Sequence, residues 1–345
     1  MLTRFTQPTR FTQLVFLGEF FLTMLYVIML HSNIRLTEVA MDRIDYINVR
    51  QLEIAVRIWH PDAPNTVIAW HGLARHGGDF ASLARQLGPQ WRVIAPDTPG
   101  RGLSSWSMYP ANDYLYSHYV TIALAVLDHY HIERANWIGT SMGGLLGMLL
   151  AADDATAQRI RCLVLNDVGP ELDAQALTEM ATYFSVLKRF STLSELQQAL
   201  EQHYQGFGHL SRHEWQHMAL SSARRLPDGS WSFHYDPRIG EQFIHDTPRD
   251  TWNDWQRIRC PLMVIRGEHS QLLQAASVTR MQRDQPHMET LEAVGCGHAP
   301  MLNNAQQVVP LKRFLARHAG LTPFQATRPI QWLNDWWQRF MKHGG

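Results

Sequence analysis

From residue 44 onward, short apolar runs of strand length alternate with stretches whose apolar residues recur at helical spacing. IDYINV (44–49) and LEIAVRIWH (52–60) read as an opening hairpin. TVIAW (66–70), WRVIAPD (91–97), ANWIG (135–139), IRCLVLND (160–167), CPLMVIRG (260–267) and METLEAVG (288–295) follow as buried strands. Between and after them, residues 112–131, 142–152, 274–284 and 308–319 carry helical periodicity. Strand–helix alternation of this kind predicts an α/β fold, a mostly parallel eight-stranded sheet covered by helices on both faces.

The interval 168–250 departs from that rhythm. Thr192 followed by Glu195, and Ser211 followed by Glu214, are capping-box starts for helices. Asp228-Gly229 in LPDGSWSFHY predicts a tight turn between two short strands. An insertion of this size is too long for a plain loop, so a mostly helical cap over the carboxyl edge of the sheet is expected. The domain plan is then an apolar N-terminal extension (1–40), the main body (41–320, with the cap at about 168–250) and a C-terminal segment (321–345). The last places Trp332, Leu333, Trp336, Trp337 and Phe340 on one face of an amphipathic helix.

The N-terminal extension qualifies the cytoplasmic location that the rest of the chain suggests. Residues 14–30 are interrupted only by Gly18, Glu19 and Thr23, with Arg4 and Arg10 ahead of them. Their length lies at the lower edge of a membrane span, so membrane association through this segment stands beside a helix packed on the body or a partner, and beside a start at Met41, where the first strand begins.

Composition narrows the function. The 345 residues are 45% hydrophobic and 18% charged, enough for a large core and unlike a disordered chain. Lys plus Arg and Asp plus Glu both number 31, which argues against a nucleic-acid partner. Cys162, Cys260 and Cys296 are too few and scattered for a disulfide framework or a cysteine-rich zinc site. No phosphate loop, dinucleotide fingerprint or metal constellation is present, so no cofactor is expected and no metal site. Nothing in the sequence sets an oligomeric state.

The chemistry concentrates at Gly139-Thr140-Ser141-Met142-Gly143, placed between an apolar strand and a helix. A sharp strand-to-helix turn lifts a serine hydroxyl above the sheet, and small residues flank it because the backbone folds back on itself. Ser141 is therefore the candidate nucleophile. Its base should come from the end of the last strand, where His298 stands in GCGHAPML. An oxyanion hole needs two convergent backbone N–H groups, here assigned to Met142 and to Leu73 in the loop after the third strand. In that loop His71 and Gly72 are expected near the substrate, with His76 at the pocket rim. Asp97 reads as a cap for the Gly100–Gly102 turn. The cap's large apolar residues, Met180, Tyr183, Phe184, Phe190, Tyr204, Phe207, Trp215, Met218, Trp231 and Phe233, mostly form its own core and in part line the cleft, favouring a small, largely apolar ester.

These motifs resemble those of the α/β-hydrolase family, in its esterase-like branch with a helical cap. The shared residues are HG at 71–72, PDTPGRGLS at 96–104, GTSMGG at 139–144, LNDVGPE at 165–171, RGEHS at 266–270 and GHAPML at 297–302. The resemblance implies hydrolysis of a carboxylic ester, or a related acyl bond, through an acyl-enzyme. The same residues would equally serve an acyltransferase, a thioesterase or a C–C bond hydrolase. One position departs from the family. Relatives carry Ser-Asp after RGE, and that Asp orients the histidine; here Gln271 occupies the place of the acid. Three alternatives follow: Asp167 at the end of the preceding strand acts as the acid, Glu268 does, or the site binds without catalysis.

Overall fold

A computed structural model describes residues 43–319, apart from 173 and 247–250. The apolar segment 14–30 and the Trp-rich helix expected at 328–343 both lie outside the described residues. Among the described residues no helix is long and apolar enough to cross a membrane.

Strands β1 (Arg43–Val49) and β2 (Leu52–Trp59) form the opening hairpin. They are followed by β3 (Asn65–Trp70), helix α1 (Ala81–Leu87) and β4 (Trp91–Pro96). Helix α2 (Tyr116–His129) leads to β5 (Ala135–Thr140), α3 (Met142–Ala152) and β6 (Ile160–Asn166). The insertion then supplies α4 (Ala174–Phe184), α5 (Leu193–His203), α6 (Arg212–Ser222) and a hairpin of β7 (Ala223–Arg225) with β8 (Trp231–Phe233). The body resumes with α7 (Thr251–Arg257), β9 (Leu262–Gly267), α8 (Ala275–Asp284), β10 (Glu289–Ala293) and α9 (Ala305–His318).

The eight-stranded sheet runs β1-β2-β4-β3-β5-β6-β9-β10. Only β1–β2 and β2–β4 pair antiparallel; the remaining ladders are parallel. Side-chain alternation along each strand divides the apolar residues between two faces. Ile68, Trp70 and Trp137 join the core under α2 and α3, whereas Val67, Ala69 and Ile138 join the one under α1 and α9. The central strands are buried on both faces, which explains their unbroken apolar runs.

Both capping signals in the insertion form. Thr192 Oγ1 accepts from the Glu195 N–H at 3.1 Å, and Ser211 and Glu214 bond reciprocally as a full capping box. The single helix expected over 112–131 is divided instead. A helical turn at Pro110–Asp113 stops where Tyr114 drops into the core, and α2 begins only at Tyr116, whose N–H donates to Asp246. The Tyr114 hydroxyl donates to Asp236 in the insertion at 2.8 Å, so a tertiary contact outweighs the local helical period.

Candidate active site

The turn from β5 into α3 is forced by two close backbone approaches. A Cβ on Gly139 would stand 2.2 Å from the Gly143 carbonyl oxygen, and one on Gly143 would stand 2.2 Å from that of Trp70. Neither position admits a side chain. Trp137 Nε1 donates to the Gly143 carbonyl at 2.9 Å, and Trp70 stacks on Trp137 at 5.4 Å, so the tryptophans brace the turn from below. Ser141 pivots between strand and helix at φ 51°, ψ −115°, a conformation a non-glycine residue adopts only when its surroundings impose it.

Around that hydroxyl the chain assembles a relay. Ser141 Oγ lies 3.0 Å from His298 Nε2, and His298 Nδ1 lies 2.7 Å from Asp167 Oδ2. Asp167 follows directly on β6 and is fully buried. Its Oδ1 accepts from the Gly267 N–H at 2.8 Å, and its Oδ2 also accepts from the Ser270 hydroxyl at 2.6 Å. A carboxylate held this way accepts the Nδ1–H of His298, leaving Nε2 as the acceptor for the serine proton. Glu268 stands elsewhere: its Oε2 accepts from the Gly295 N–H at 2.8 Å. Gln271 is exposed on the cavity wall, and its amide donates to the His269 carbonyl at 3.4 Å, not to His298.

Peptide planarity aims the two amides of the expected oxyanion hole. The Gly72 carbonyl accepts from His71 Nδ1–H at 2.7 Å and from the Arg75 N–H at 3.2 Å. The N–H of Leu73, across the same trans peptide, must point the other way. Likewise the Ser141 carbonyl accepts from the N–H groups of Gly144 and Leu145, which turns the Met142 N–H out of the first turn of α3.

The loop after β3 does not follow the expected substrate contacts throughout. Gly72 does lie against the nucleophile, since a Cβ there would sit 3.6 Å from Ser141 Cβ. His71 instead turns inward: its Nε2 accepts from the Thr98 N–H at 2.9 Å, and burial lowers its pKa to about 3, so it is a neutral strut. His76 is not at the pocket rim. It is buried, its Nδ1 accepts from the Gly78 N–H at 3.0 Å, and its ring meets His234 of the insertion edge-on at 4.9 Å. Capping a short 3₁₀ turn at Gly77–Phe80 draws it away from the cleft.

Above Ser141 and His298 is a cavity of about 410 Å³. The insertion lines it with Met180, Tyr183, Phe184, His203, Tyr204 and Phe207. Arg75 also borders it, but both edges of the guanidinium are engaged, by Asp79 at 2.7 Å and by Ser222 at 2.9 Å. His203 stacks flat on Tyr183 at 4.0 Å, and burial lowers its pKa to about 4, leaving a neutral ring against the cavity. Ser270, Arg75 and His203 carry no sequence motif of their own. Only Ser270, within RGEHS, lay inside a segment that signalled its place. Among the described residues no group of three His, Cys, Asp or Glu side chains is arranged to hold a metal ion.

Strand-to-helix turn, relay and eight-stranded sheet together define a serine-type α/β hydrolase architecture. The family model for the alpha/beta hydrolase fold matches residues 65–305, and the chain belongs to that family. It is 33% identical over 264 residues to a 3-hydroxybutyrate-oligomer hydrolase of Cupriavidus necator, covering 74% of this chain and 89% of that protein. It is 29% identical over 268 residues to a pimeloyl-[acyl-carrier protein] methyl ester esterase of Xanthomonas oryzae, covering 72% and 94%. An alpha/beta hydrolase structure from Novosphingobium aromaticivorans superposes with a TM-score of 0.73 at 32% identity, covering 81% of this chain and all of that one.

Proposed function

We propose that Ser141, His298 and Asp167 are the nucleophile, base and acid of an acyl-enzyme mechanism. The chain is a hydrolase acting on ester bonds, the activity in which its named relatives agree. The observation that carries the residue assignment is the unbroken Ser141–His298–Asp167 relay at 3.0 and 2.7 Å beneath a cavity lined by the insertion. Ser141 attacks the ester carbonyl while His298 takes its proton, and the developing oxyanion meets the N–H groups of Leu73 and Met142. His298 then protonates the departing alcohol. It next deprotonates a water that attacks the acyl carbon, and it returns that proton to Ser141 Oγ as the acid product leaves. Asp167 holds the imidazole tautomer and balances the imidazolium charge.

For the substrate we favour short-chain esters, and among them short oligomers of a hydroxyalkanoic acid such as 3-hydroxybutyrate. The wall is aromatic, its guanidinium is occupied, and neutral polar groups of Tyr183, His203 and Gln271 stand where a second ester or hydroxyl would lie. A reducing, cytoplasmic setting suits the three free cysteines, with residues 14–30 as the segment that would associate with a membrane.

The test is fluorophosphonate labelling with mass mapping, alongside turnover of p-nitrophenyl butyrate and of 3-hydroxybutyrate trimer. Label at Ser141, lost together with turnover in Ser141→Ala, is the expected result. Turnover that survives Ser141→Ala, or label on another residue, would overturn the assignment.

A further inference from the structure

The two amides assigned to the oxyanion come from segments far apart in the chain, the loop after β3 and the start of α3. A hole of this kind works only if both donors converge on one point, so something must set their separation. One side chain touches both residues. Arg101 is fully buried; its Nε donates to the Leu73 carbonyl at 2.8 Å, and its Nη2 lies 3.7 Å from Met142 Sδ. Its Nη1 is anchored to the body, donating to the Pro99 carbonyl and the Tyr119 hydroxyl, each at 2.7 Å.

The turn that carries Arg101 is shaped to aim it inward. Gly100 and Gly102 flank it at φ 78° and 55°, in the left-handed region that favours glycine. A Cβ on Gly102 would stand 2.1 Å from Asp97 Oδ2, and one on Gly100 would stand 2.7 Å from the Tyr114 ring. Tyr114 and Tyr119 place their rings 5.6 and 5.4 Å from the guanidinium carbon. All the hydrogen bonds given above go to neutral acceptors, and a guanidinium keeps its charge in such a setting.

We propose that Arg101 is a positioning residue for the oxyanion hole: its rigid fork fixes Leu73 against Met142, and its buried positive charge favours the tetrahedral intermediate over the bound ester. This rests on the acyl-enzyme reading above. The ester carbonyl is neutral and the intermediate carries a full negative charge, so the contribution falls on kcat and leaves KM nearly untouched.

The experiment compares wild type, Arg101→Met and Arg101→Lys with p-nitrophenyl butyrate, counting active sites by fluorophosphonate titration. Affinities are measured for a trifluoromethyl ketone, which forms a tetrahedral oxyanion adduct, and for the matching methyl ketone. Arg101→Met removes the charge and its donors while keeping an apolar stem in place, and it leaves the Leu73 and Pro99 carbonyls without that donor, so folding is checked by melting temperature. We expect kcat per titrated site to fall about 100-fold, the scale of losing one oxyanion donor, with KM within about twofold. Trifluoromethyl ketone affinity should fall in parallel while methyl ketone affinity holds. Arg101→Lys keeps the charge and should recover part of kcat; it carries the same readouts if the Met variant does not fold. A folded variant with wild-type kcat per site, whatever its melting temperature, would overturn the proposal. Absence of Ser141 labelling in wild type would instead overturn the acyl-enzyme reading on which it rests.

Discussion

Asp167→Asn is the sharpest perturbation of the relay because the surroundings dictate which way the new amide must face. Oδ1 of Asp167 accepts from the Gly267 backbone N–H, a donor that cannot be reversed. The amide oxygen of the introduced side chain must therefore take that place, leaving the NH₂ where Oδ2 now meets His298 Nδ1 and Ser270. Ser270 can rotate its hydroxyl and accept. His298 has only one adjustment available: Nδ1 becomes the acceptor, and its proton moves to Nε2. Nε2 then faces Ser141 as a donor and cannot take the serine proton. In a comparable triad this tautomer error costs about 10⁴ in kcat, equivalent to about 5.4 kcal/mol of transition-state stabilisation. Fold and cavity should persist, because the bonds to Gly267 and Ser270 survive the exchange. The assay is pre-steady-state and steady-state hydrolysis of p-nitrophenyl butyrate, with melting temperature recorded alongside. Glu268→Gln, whose carboxylate receives the Gly295 N–H and lies 3.8 Å from His269 Nε2, away from His298, serves as the control and should remain within severalfold of wild type. An Asp167→Asn enzyme within tenfold of wild type, or a dead Glu268→Gln, would refute the reasoning.

Gly143→Ala places a methyl group 2.2 Å from the Trp70 carbonyl oxygen; a loss of about 3 kcal/mol or more in urea unfolding is expected, and a neutral result would mean the turn relaxes easily. Burial holds His71 at about 3 and His76 and His234 well below 6.5, so the folded protein leaves all three neutral while the unfolded chain protonates them. Stability therefore falls as pH drops below about 6.5, by roughly 1.4 kcal/mol per pH unit for each histidine, the His71 share ending near pH 3. Urea midpoints at pH 6.5, 5.5 and 4.5 measure that slope, and a flat profile would contradict neutral burial. His203→Phe preserves the stack on Tyr183 and removes a neutral polar group from the cavity. It should lower kcat/KM for 3-hydroxybutyrate trimer about tenfold while sparing p-nitrophenyl butyrate, and equal losses on both would argue against a hydroxyacyl contact.

Much of this geometry could be read from the chain because local pattern and tertiary role coincide there. The turn around Ser141 announces itself through glycines that have no other tolerable occupant, and α3 begins and ends where its apolar run does. The central strands are legible for a related reason, since burial on both faces leaves them without polar interruptions. Where tertiary contacts decide, pattern falls short. The break at Tyr114 depends on Asp236 more than a hundred residues away, and His76 is drawn inward by a turn it caps and a histidine in the insertion. The acid was legible only as Asp167, Glu268 or none at all, because Gln271 takes the usual place and both carboxylates border neighbouring strand ends. What separates them is which side chain points at His298 Nδ1, a matter of direction that spacing along a chain does not encode. Arg101 was hidden further still: a lone arginine between glycines reads as a surface turn until its guanidinium is seen beneath both Leu73 and Met142.

With Asp167 as the proposed acid, the charge that orients His298 stands at the end of β6 and not in the loop after β9, where the family resemblance predicts it. The connection after β9 keeps a supporting duty through Ser270 and the Gly267 amide, while position 271 is relieved of any part in proton transfer and stands in the cavity wall. A residue so released can vary without dismantling the relay. On that reading, position 271 is a natural tuning point for substrate choice, open to large, small, polar or aromatic occupants.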